Sequence, residues 1–511
     1  MRKVAVVGGG LAGMAAALAL VRQGDVEVQL IEASDRLGGM AGASEVDGKL
    51  EDHGYHIFPL WYENIHQILR DLGLESTLHN VEKFQQLRRG EFPTFRALKN
   101  MTSLRFVWTN LWSRTHPFLD LALFYYSVVD LICQPHRLRS FLDQTSIYGF
   151  IRYRFYRTDA VADLYQDLLL KFLSVPSYKL SSMAVRTMLS YWVVQGVPTC
   201  RILPTDMETS FIAPWRRDLE RRGCKVLTSA RLTRIRLDGK RVASIEYARA
   251  GGTETAAVDD LVLALSPRTL AQVLDDPLFA TAPDLSRVNY LRTEAMASLS
   301  LYLTEKIAGL PPEHVNLLES RFALTFIDVS QHWTGHDKTL LNVIASDINE
   351  LQGISDQTAV EEILRELQQY LPFLSRDKVA RLHFQSHFGE PLVMNEVGAW
   401  HFRSGATTGV ANLYVAGTHC RSHIDMTSME GAVVTGLLAA NELLLRNGLD
   451  GLYVIRQPPT ARRWLFQLLR AVLFPGVLIA KGWILLRQLL TASAPLSTPE
   501  AASTIRKRRP A

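Results

Sequence analysis

Gly8, Gly10 and Gly13, followed at a distance by Glu32, are the residues whose spacing points most directly to chemistry: the binding of a dinucleotide. In Gly8-Gly9-Gly10-Leu11-Ala12-Gly13 the first glycine makes a tight turn, Gly10 lets the backbone approach a pyrophosphate, and Gly13 lets a helix lie close to a strand. Glu32, 22 residues past Gly10, is placed to accept hydrogen bonds from the ribose hydroxyls of an adenosine. These roles require particular elements around them. Lys3-Val4-Ala5-Val6-Val7 reads as a short buried strand, and an Ala-rich helix follows from about Ala12 to Gln23, with Gly24 where a helix stops. A second apolar run, Val26 to Ile31, ends at Glu32. The helix start adds unpaired N–H groups and a positive dipole end for the phosphates. Strand, glycine turn, helix, strand and acid form one unit, which is the context a dinucleotide site needs.

The next residues say which dinucleotide. Arg36-Leu37-Gly38-Gly39 comes four residues after Glu32, and a nicotinamide enzyme needs neither this arginine nor a second glycine pair. The segment closely resembles that of flavoproteins holding FAD in an extended pose. In those proteins the arginine and the Gly-Gly turn close over the diphosphate and ribityl chain, so the resemblance makes FAD the expected cofactor.

Flavin dehydrogenation is hydride transfer to N5; the cofactor performs the hard step and a side chain need only take the adjacent proton. No constellation demands one particular base, and no catalytic residue is assigned. His56 lies in Glu51-Asp52-His53-Gly54-Tyr55-His56-Ile57-Phe58, a segment expected beside the flavin, where orienting the backbone is its plainer role. His53 has no better claim. His401 and Arg403 read as a solvated loop, and Cys420 as a buried, inert thiol. His383 and His387 are four apart within a strand pattern, which does not form a helical metal pair; no metal is expected. The four cysteines are scattered without a CxxC pair and indicate a reducing compartment.

At 511 residues with 47% hydrophobic and 21% charged residues, the chain is globular rather than disordered and large enough for two or three domains. The net charge of +5 is unevenly spread: from Gly451 onward ten Lys/Arg face one acid, Glu500. The body is ordinary and the tail is basic; no nucleic-acid partner is expected. The nucleotide strand begins at residue 3 with no signal peptide before it, which predicts a protein on the cytoplasmic side of any membrane it meets.

A helix is predicted from Trp61 to Leu72, and mainly helical structure from about Phe84 to Gln195. The apolar run Phe118 to Cys133 carries Asp120 and Asp130 and is too interrupted to span a membrane. Strand signals return at Lys225 to Leu227, Leu232 to Leu237 and Val242 to Tyr247, the last two joined by an Asp238-Gly239 turn. Asp260 to Leu265, Met296 to Leu303 and Asn412 to Gly417 are further strands, with a helix from Thr358 to Tyr370. Thr427-Ser428-Met429-Glu430 fits a capping box, Thr427 as N-cap, opening a helix that ends near Gly448. The expected fold is α/β: a discontinuous Rossmann-type FAD-binding domain (1–83, 201–268, 395–450), an inserted α+β substrate domain (84–200, mainly helical, and 269–394), and a basic amphipathic tail (451–511).

Gly54-x-His56-Ile57-Phe58 and Ser428-Met429-Glu430-Gly431-Ala432-Val433-x-x-Gly436 resemble the plant and cyanobacterial phytoene and ζ-carotene desaturases, within the wider flavin amine oxidase superfamily. The resemblance covers both ends and the Lys225–Tyr247 strands. It implies cofactor contacts at Leu11, Ala12, Ala33 and Met40 near the first loop, at His56 and Ile57, and at Gly417, Thr418 and Met429. Leu232 matches the position whose backbone meets the adenine. The chain departs from the family at Met40, where Arg or Lys is common, and at Thr418, where many relatives have Asp. The resemblance implies desaturation of a long hydrophobic substrate, a carotenoid or related isoprenoid, with a membrane quinone as electron acceptor. A hydrophobic-amine oxidase is the alternative; Val415-Ala416-Gly417-Thr418 lacks the Trp and Glu of the amine-oxidase strand end. A squalene-type or redox-neutral isomerase on the same fold is another. A non-redox lipid-binding carrier is disfavoured by the intact Glu32 and Arg36-Leu37-Gly38-Gly39.

Between Arg462 and Leu490, apolar runs alternate with single cations, and Phe474-Pro475-Gly476 is expected to break the helix. Two short amphipathic helices lying on a membrane surface, with cations toward anionic headgroups, are predicted rather than a span. Arg506-Lys507-Arg508-Arg509 reads as an extra lipid contact or a solvated end.

Overall fold

The computed structural model describes residues 1–99, 103–389 and 391–492. Its nucleotide side is a parallel sheet of five strands: β1 (Arg2–Val7), β2 (Val26–Ile31), β3 (Lys225–Leu227), β4 (Asp260–Leu263) and β5 (Leu413–Val415), in the order β3-β2-β1-β4-β5. Continuous apolar runs suit strands covered on both faces. On one face Val4 and Val6 meet α1 (Leu11–Val21); on the other Ala5 and Val7 meet a three-stranded sheet (Arg231–Asp238, Arg241–Arg249, Gly252–Ala257). Asn412, buried at the start of β5, ties these layers: its Nδ2 donates to the carbonyls of Val242 and Asp259 at 2.9 and 2.7 Å, and its Oδ1 accepts from Val242 N–H at 2.8 Å.

Four more helices matter to the site: α2 (Glu63–Asp71), α3 (Phe118–Cys133), α4 (Met429–Arg446) and α5 (Arg463–Ala492). α4 crosses α1 so closely that a Cβ on Gly436 would stand 2.0 Å from the Ala12 carbonyl oxygen, and only glycine permits the crossing.

A second sheet of seven strands combines Val379–Ser386, Ala297–Leu303, Leu340–Ala345, Leu324–Asp328, Val315–Leu317, Lys83–Leu87 and Arg96–Lys99, in that order. Asp356–Leu367 packs on it through Ala359, Ile363 and Leu367. The stretch from Phe84 therefore opens with two strands, where helix was expected; Lys83–Leu87 finds its partner in Val315–Leu317, more than 200 residues away. Helices follow from Leu104 to Trp192 and share one core with α1 and α4.

The tail differs most from expectation. α5 is one helix of 30 residues with Pro475 inside it, not two helices. Proline removes one backbone hydrogen bond, but docking on either side of it holds the halves in line: Arg470 Nη1 donates to Asp130 Oδ1 at 2.8 Å, and Lys481 donates to the Arg157 carbonyl. These cations, expected at headgroups, point into the body instead. Arg463–Leu490 is also long and apolar enough to cross a membrane, at a mean hydropathy of 1.7, so length does not exclude a span as expected. Arg506 to Arg509 lie outside the described residues.

Candidate functional site

At the C-terminal end of β1 the chain turns through Gly8, whose N–H donates to the Ile31 carbonyl at 2.8 Å. A Cβ at Gly13 would fall 1.8 Å from the Gly8 carbonyl oxygen, closing the loop against the helix; at Gly10 it would meet nothing nearer than Gly39 Cα at 3.9 Å. The loop is thus sealed behind Gly13 and open in front of Gly10, a cradle for a pyrophosphate. α1 starts at Leu11 and Ala12 with no side-chain cap, leaving early N–H groups for a ligand.

Gly38 N–H donates to the Gly9 carbonyl at 2.8 Å and pairs with Gly10 as a bridge, so the Gly38–Gly39 turn lies directly over the first loop. Glu32 is fixed by two backbone donors, Gly9 N–H at 2.6 Å and Ser34 N–H at 2.7 Å. Ser229 and Ala230 donate to the Ser34 and Glu32 carbonyls at 2.7 and 2.8 Å, which holds the residues just before Leu232 against the Glu32–Ser34 turn. Arg36 pairs with Glu45 through Nη2, while its buried Nε has no partner. That idle donor, the open Gly10 cradle and the fixed Glu32 fit FAD in an extended pose. Met40, next to this turn, is exposed.

The second half of the site follows β5. Gly417 N–H donates to Thr435 Oγ1 of α4 at 3.0 Å. Arg403 is buried rather than solvated, a correction to its loop reading: Nη1 donates to the Thr418 carbonyl at 2.7 Å and Nη2 to Asn395 Oδ1 at 2.9 Å. Asn395 Oδ1 also accepts from Thr427 N–H at 2.9 Å, and Thr427 Oγ1 donates to the Val393 carbonyl at 2.7 Å. With Thr427 occupied across the loop, Ser428 becomes the N-cap of α4, accepting from Gly431 N–H at 3.0 Å; Met429 is its first residue. Glu430 does not complete a capping box. It accepts from Asn64 N–H at 2.9 Å, Asn64 Nδ2 at 2.7 Å and Ile65 N–H at 3.1 Å, joining the first turns of α4 and α2. Nothing in the sequence marks Asn395 or Asn64, because their partners lie in distant segments. Cys420 is buried, and burial pushes its thiol up to about 12.

His56 stands apart from the phosphate loop, on the wall of a mostly apolar cavity with Tyr55, Ile202, Met207, Ile327 and Trp333. Its buried Nδ1 has no partner. Ile57 packs against the Val81–Phe84–Cys200 cluster on the seven-stranded-sheet side. His383 and His387 lie on and just beyond the edge strand Val379–Ser386, and no metal-binding group of three side chains occurs among the described residues.

His53, His56, His314 and His419 are lowered to about 4, chiefly by burial. Buried neutral, they contribute stability that is present above the unfolded value near 6.5 and is lost as pH falls to about 4. Asp425 and Glu430, pushed up to about 7 by burial, act in the opposite sense: their contribution is full below about 4 and is lost as pH rises through 7. Burial lowers ten histidines in all and raises six carboxylates, which gives the expected result, a Tm that climbs between pH 4 and 6.5, and climbs less in a His56→Gln, His419→Gln double variant. A Tm flat or falling over that range would contradict it.

A family model for flavin containing amine oxidoreductases matches residues 11–444. Among curated proteins, the 15-cis-phytoene desaturase of Synechococcus elongatus is 22% identical over 480 residues, covering 87% of this chain and 96% of the relative. A carotenoid phi-ring synthase of Streptomyces griseus is 26% identical over 501 residues, covering 92% of this chain and 93% of the relative. Among solved structures, wild-type putrescine oxidase bound to putrescine superposes with a TM-score of 0.67 at 16% identity, over 87% of this chain and 99% of the other, a likeness of fold.

Proposed function

This chain belongs to the flavin containing amine oxidoreductases and is an FAD-dependent oxidoreductase, and we propose that it desaturates a long hydrophobic molecule, a carotenoid or related isoprenoid. The observation carrying this reading is that sequence similarity extends along most of the chain to carotenoid enzymes.

FAD supplies the hydride acceptor at N5 when bound. The protein's part is binding and exclusion. Glu32 holds the adenosine ribose, with the Leu232 backbone and Ala33 beside the adenine. Gly8, Gly10, Leu11, Ala12 and Gly13 present backbone to the pyrophosphate, and Arg36 with Gly38, Gly39 and Met40 closes over it. With FAD bound, Gly417, Thr418 and Met429 would line its ribityl and ring end, and the start of α4 would offer a positive helix end to negative charge there. His56 and Ile57 form the opposite wall, His56 uncharged at neutral pH. The enzyme works at the cytoplasmic side of a membrane, peripheral or monotopic, where both a lipid-dissolved substrate and a quinone acceptor are at hand.

The test is anaerobic. The holoprotein is mixed with lipid containing phytoene and partly desaturated products, and flavin absorbance is followed. Bleaching with a lengthened polyene spectrum is expected. Flavin that stays oxidised with carotenoids but bleaches with a hydrophobic amine would transfer the assignment to amine oxidation, and purification without flavin under FAD saturation would point to a carrier.

A further inference from the structure

α5 is an amphipathic helix whose apolar side faces away from the protein. Trp464, Leu468, Val472, Ile479, Trp483 and Leu486 fall within about 100° of one another around its axis at 100° per residue, and each is exposed, from 48% at Leu486 to 74% at Ile479. On the other side Val477 and Ala480 are buried against the body. The polar residues of that inner side fit a specific slot. Arg463 Nε donates to the Cys133 carbonyl at 2.9 Å at one end of α3, and Arg470 reaches Asp130. Lys481 reaches the Arg157 carbonyl, next to Thr158, whose hydroxyl donates to Asp120 Oδ1 at 3.1 Å near the other end. Asp130 is buried and shared: Tyr156 donates to it at 2.9 Å and Arg154 lies 3.3 Å away.

The slot therefore lays the helix lengthwise along α3, with Arg463, Arg470 and Lys481 inward and Arg487 exposed. Other exposed rings lie at the side of the helix and near the far end of α3. Phe474 meets Phe155 at 5.4 Å between centroids, and beyond the far end of α3 Trp112 meets Phe118 at 5.2 Å, with Trp108 beside them. Exposed Arg105, Arg114, Arg152 and Arg462 lie in the segments that flank these surfaces.

We propose that α5 and these neighbouring aromatics dock on the face of a bilayer containing anionic lipid, with α5 lying in the plane of the interface and held there by the Asp130 slot. Charge complementarity and the aromatic rim favour lipid over a second copy of the chain. A spanning pose would carry Arg463, Arg470 and Lys481, with the helix they bind, into hydrocarbon, where charged groups are expensive. The inference rests on the membrane-surface reading and is independent of the reaction catalysed.

The test uses the full-length holoprotein and vesicles of phosphatidylcholine with phosphatidylglycerol. Nitroxide labels at Leu468→Cys, Ile479→Cys and Leu486→Cys are expected to report one shallow depth. A Val472→Glu, Ile479→Glu, Leu486→Glu variant is expected to float with vesicles about tenfold less or worse, its flavin absorbance unchanged. A label at Ile479 deeper than both others means a span: this orientation falls and membrane association stands. Wild-type protein that forms dimers and does not float overturns both.

Discussion

Gly13→Ala is expected to yield a protein that purifies without flavin. The new Cβ would stand 1.8 Å from the Gly8 carbonyl oxygen, and the clash is with backbone, not with a flexible side chain. Neither partner can give way. Gly8 is bonded to Ile31 at 2.8 Å, and α1 is pinned from the opposite side by the crossing of α4 at Gly436. Overpacking of this kind costs about 3 kcal/mol, the upper end for one added carbon. The displacement falls on the open loop in front of Gly10, so cofactor affinity should suffer more than the fold. Flavin absorbance per protein should drop by about a hundredfold at limiting FAD, the same energy converted at 1.4 kcal/mol per decade, with far-UV circular dichroism little changed. Normal flavin content in this variant would show that the first loop does not carry the phosphates.

Glu430→Ala is the second large effect. The carboxyl is fully buried and accepts three hydrogen bonds, from Asn64 N–H, Asn64 Nδ2 and Ile65 N–H. Truncation leaves the Asn64 and Ile65 N–H groups buried without an acceptor, and Asn64 Nδ2 with only the Arg456 carbonyl at 2.8 Å, at about 3–5 kcal/mol. Because Glu430 is the second residue of α4, the start of that helix and the Gly417–Met429 loop lose their tie to α2. Denaturant midpoints should fall accordingly, and bound flavin should become easier to remove. Glu430→Gln keeps one acceptor but turns an amide toward Ile65 N–H; a smaller loss of about 1–3 kcal/mol is expected. If alanine and glutamine variants match wild type in both readouts, the α2–α4 tie has no structural weight.

What the sequence made legible was local. The glycine loop, Glu32, the five parallel strands and the long helix after Ser428 follow from patterns carried by the segment itself: apolar runs, turn glycines and a cap, whatever the distance to the partner. The strand at Lys83–Leu87 escaped because one of its edges pairs with Val315–Leu317, and Arg96–Lys99 escaped with it because it is an edge strand whose partner is Lys83–Gln86. Thr427 and Ser428 are equally good caps by type; the choice was made by Val393 and Asn395, which take up Thr427 from across the loop. Arg403 looked solvated for the same reason, since its acceptors are the Thr418 carbonyl and Asn395. The continuity of α5 through Pro475 depended on α3, whose Asp130 had been noted only as a charge that spoils a membrane span. In each case a residue's type was readable and its partner was not.

The order of strands in the nucleotide sheet also sets a timetable for synthesis. β1 cannot pair with β4 until residue 260 exists, nor can β4 pair with β5 before residue 413. At roughly 5–20 residues per second the first strand waits on the order of 10–50 s as an unfinished edge. Its Val-rich segment is a natural client for a chaperone during that interval. The residues that finish the flavin loop leave the ribosome before α5, so the expected sequence of maturation is cofactor first and lipid second. Ribosome-bound chains halted shortly after α4 is exposed should already retain FAD; chains that acquire it only once α5 is released would reverse that order.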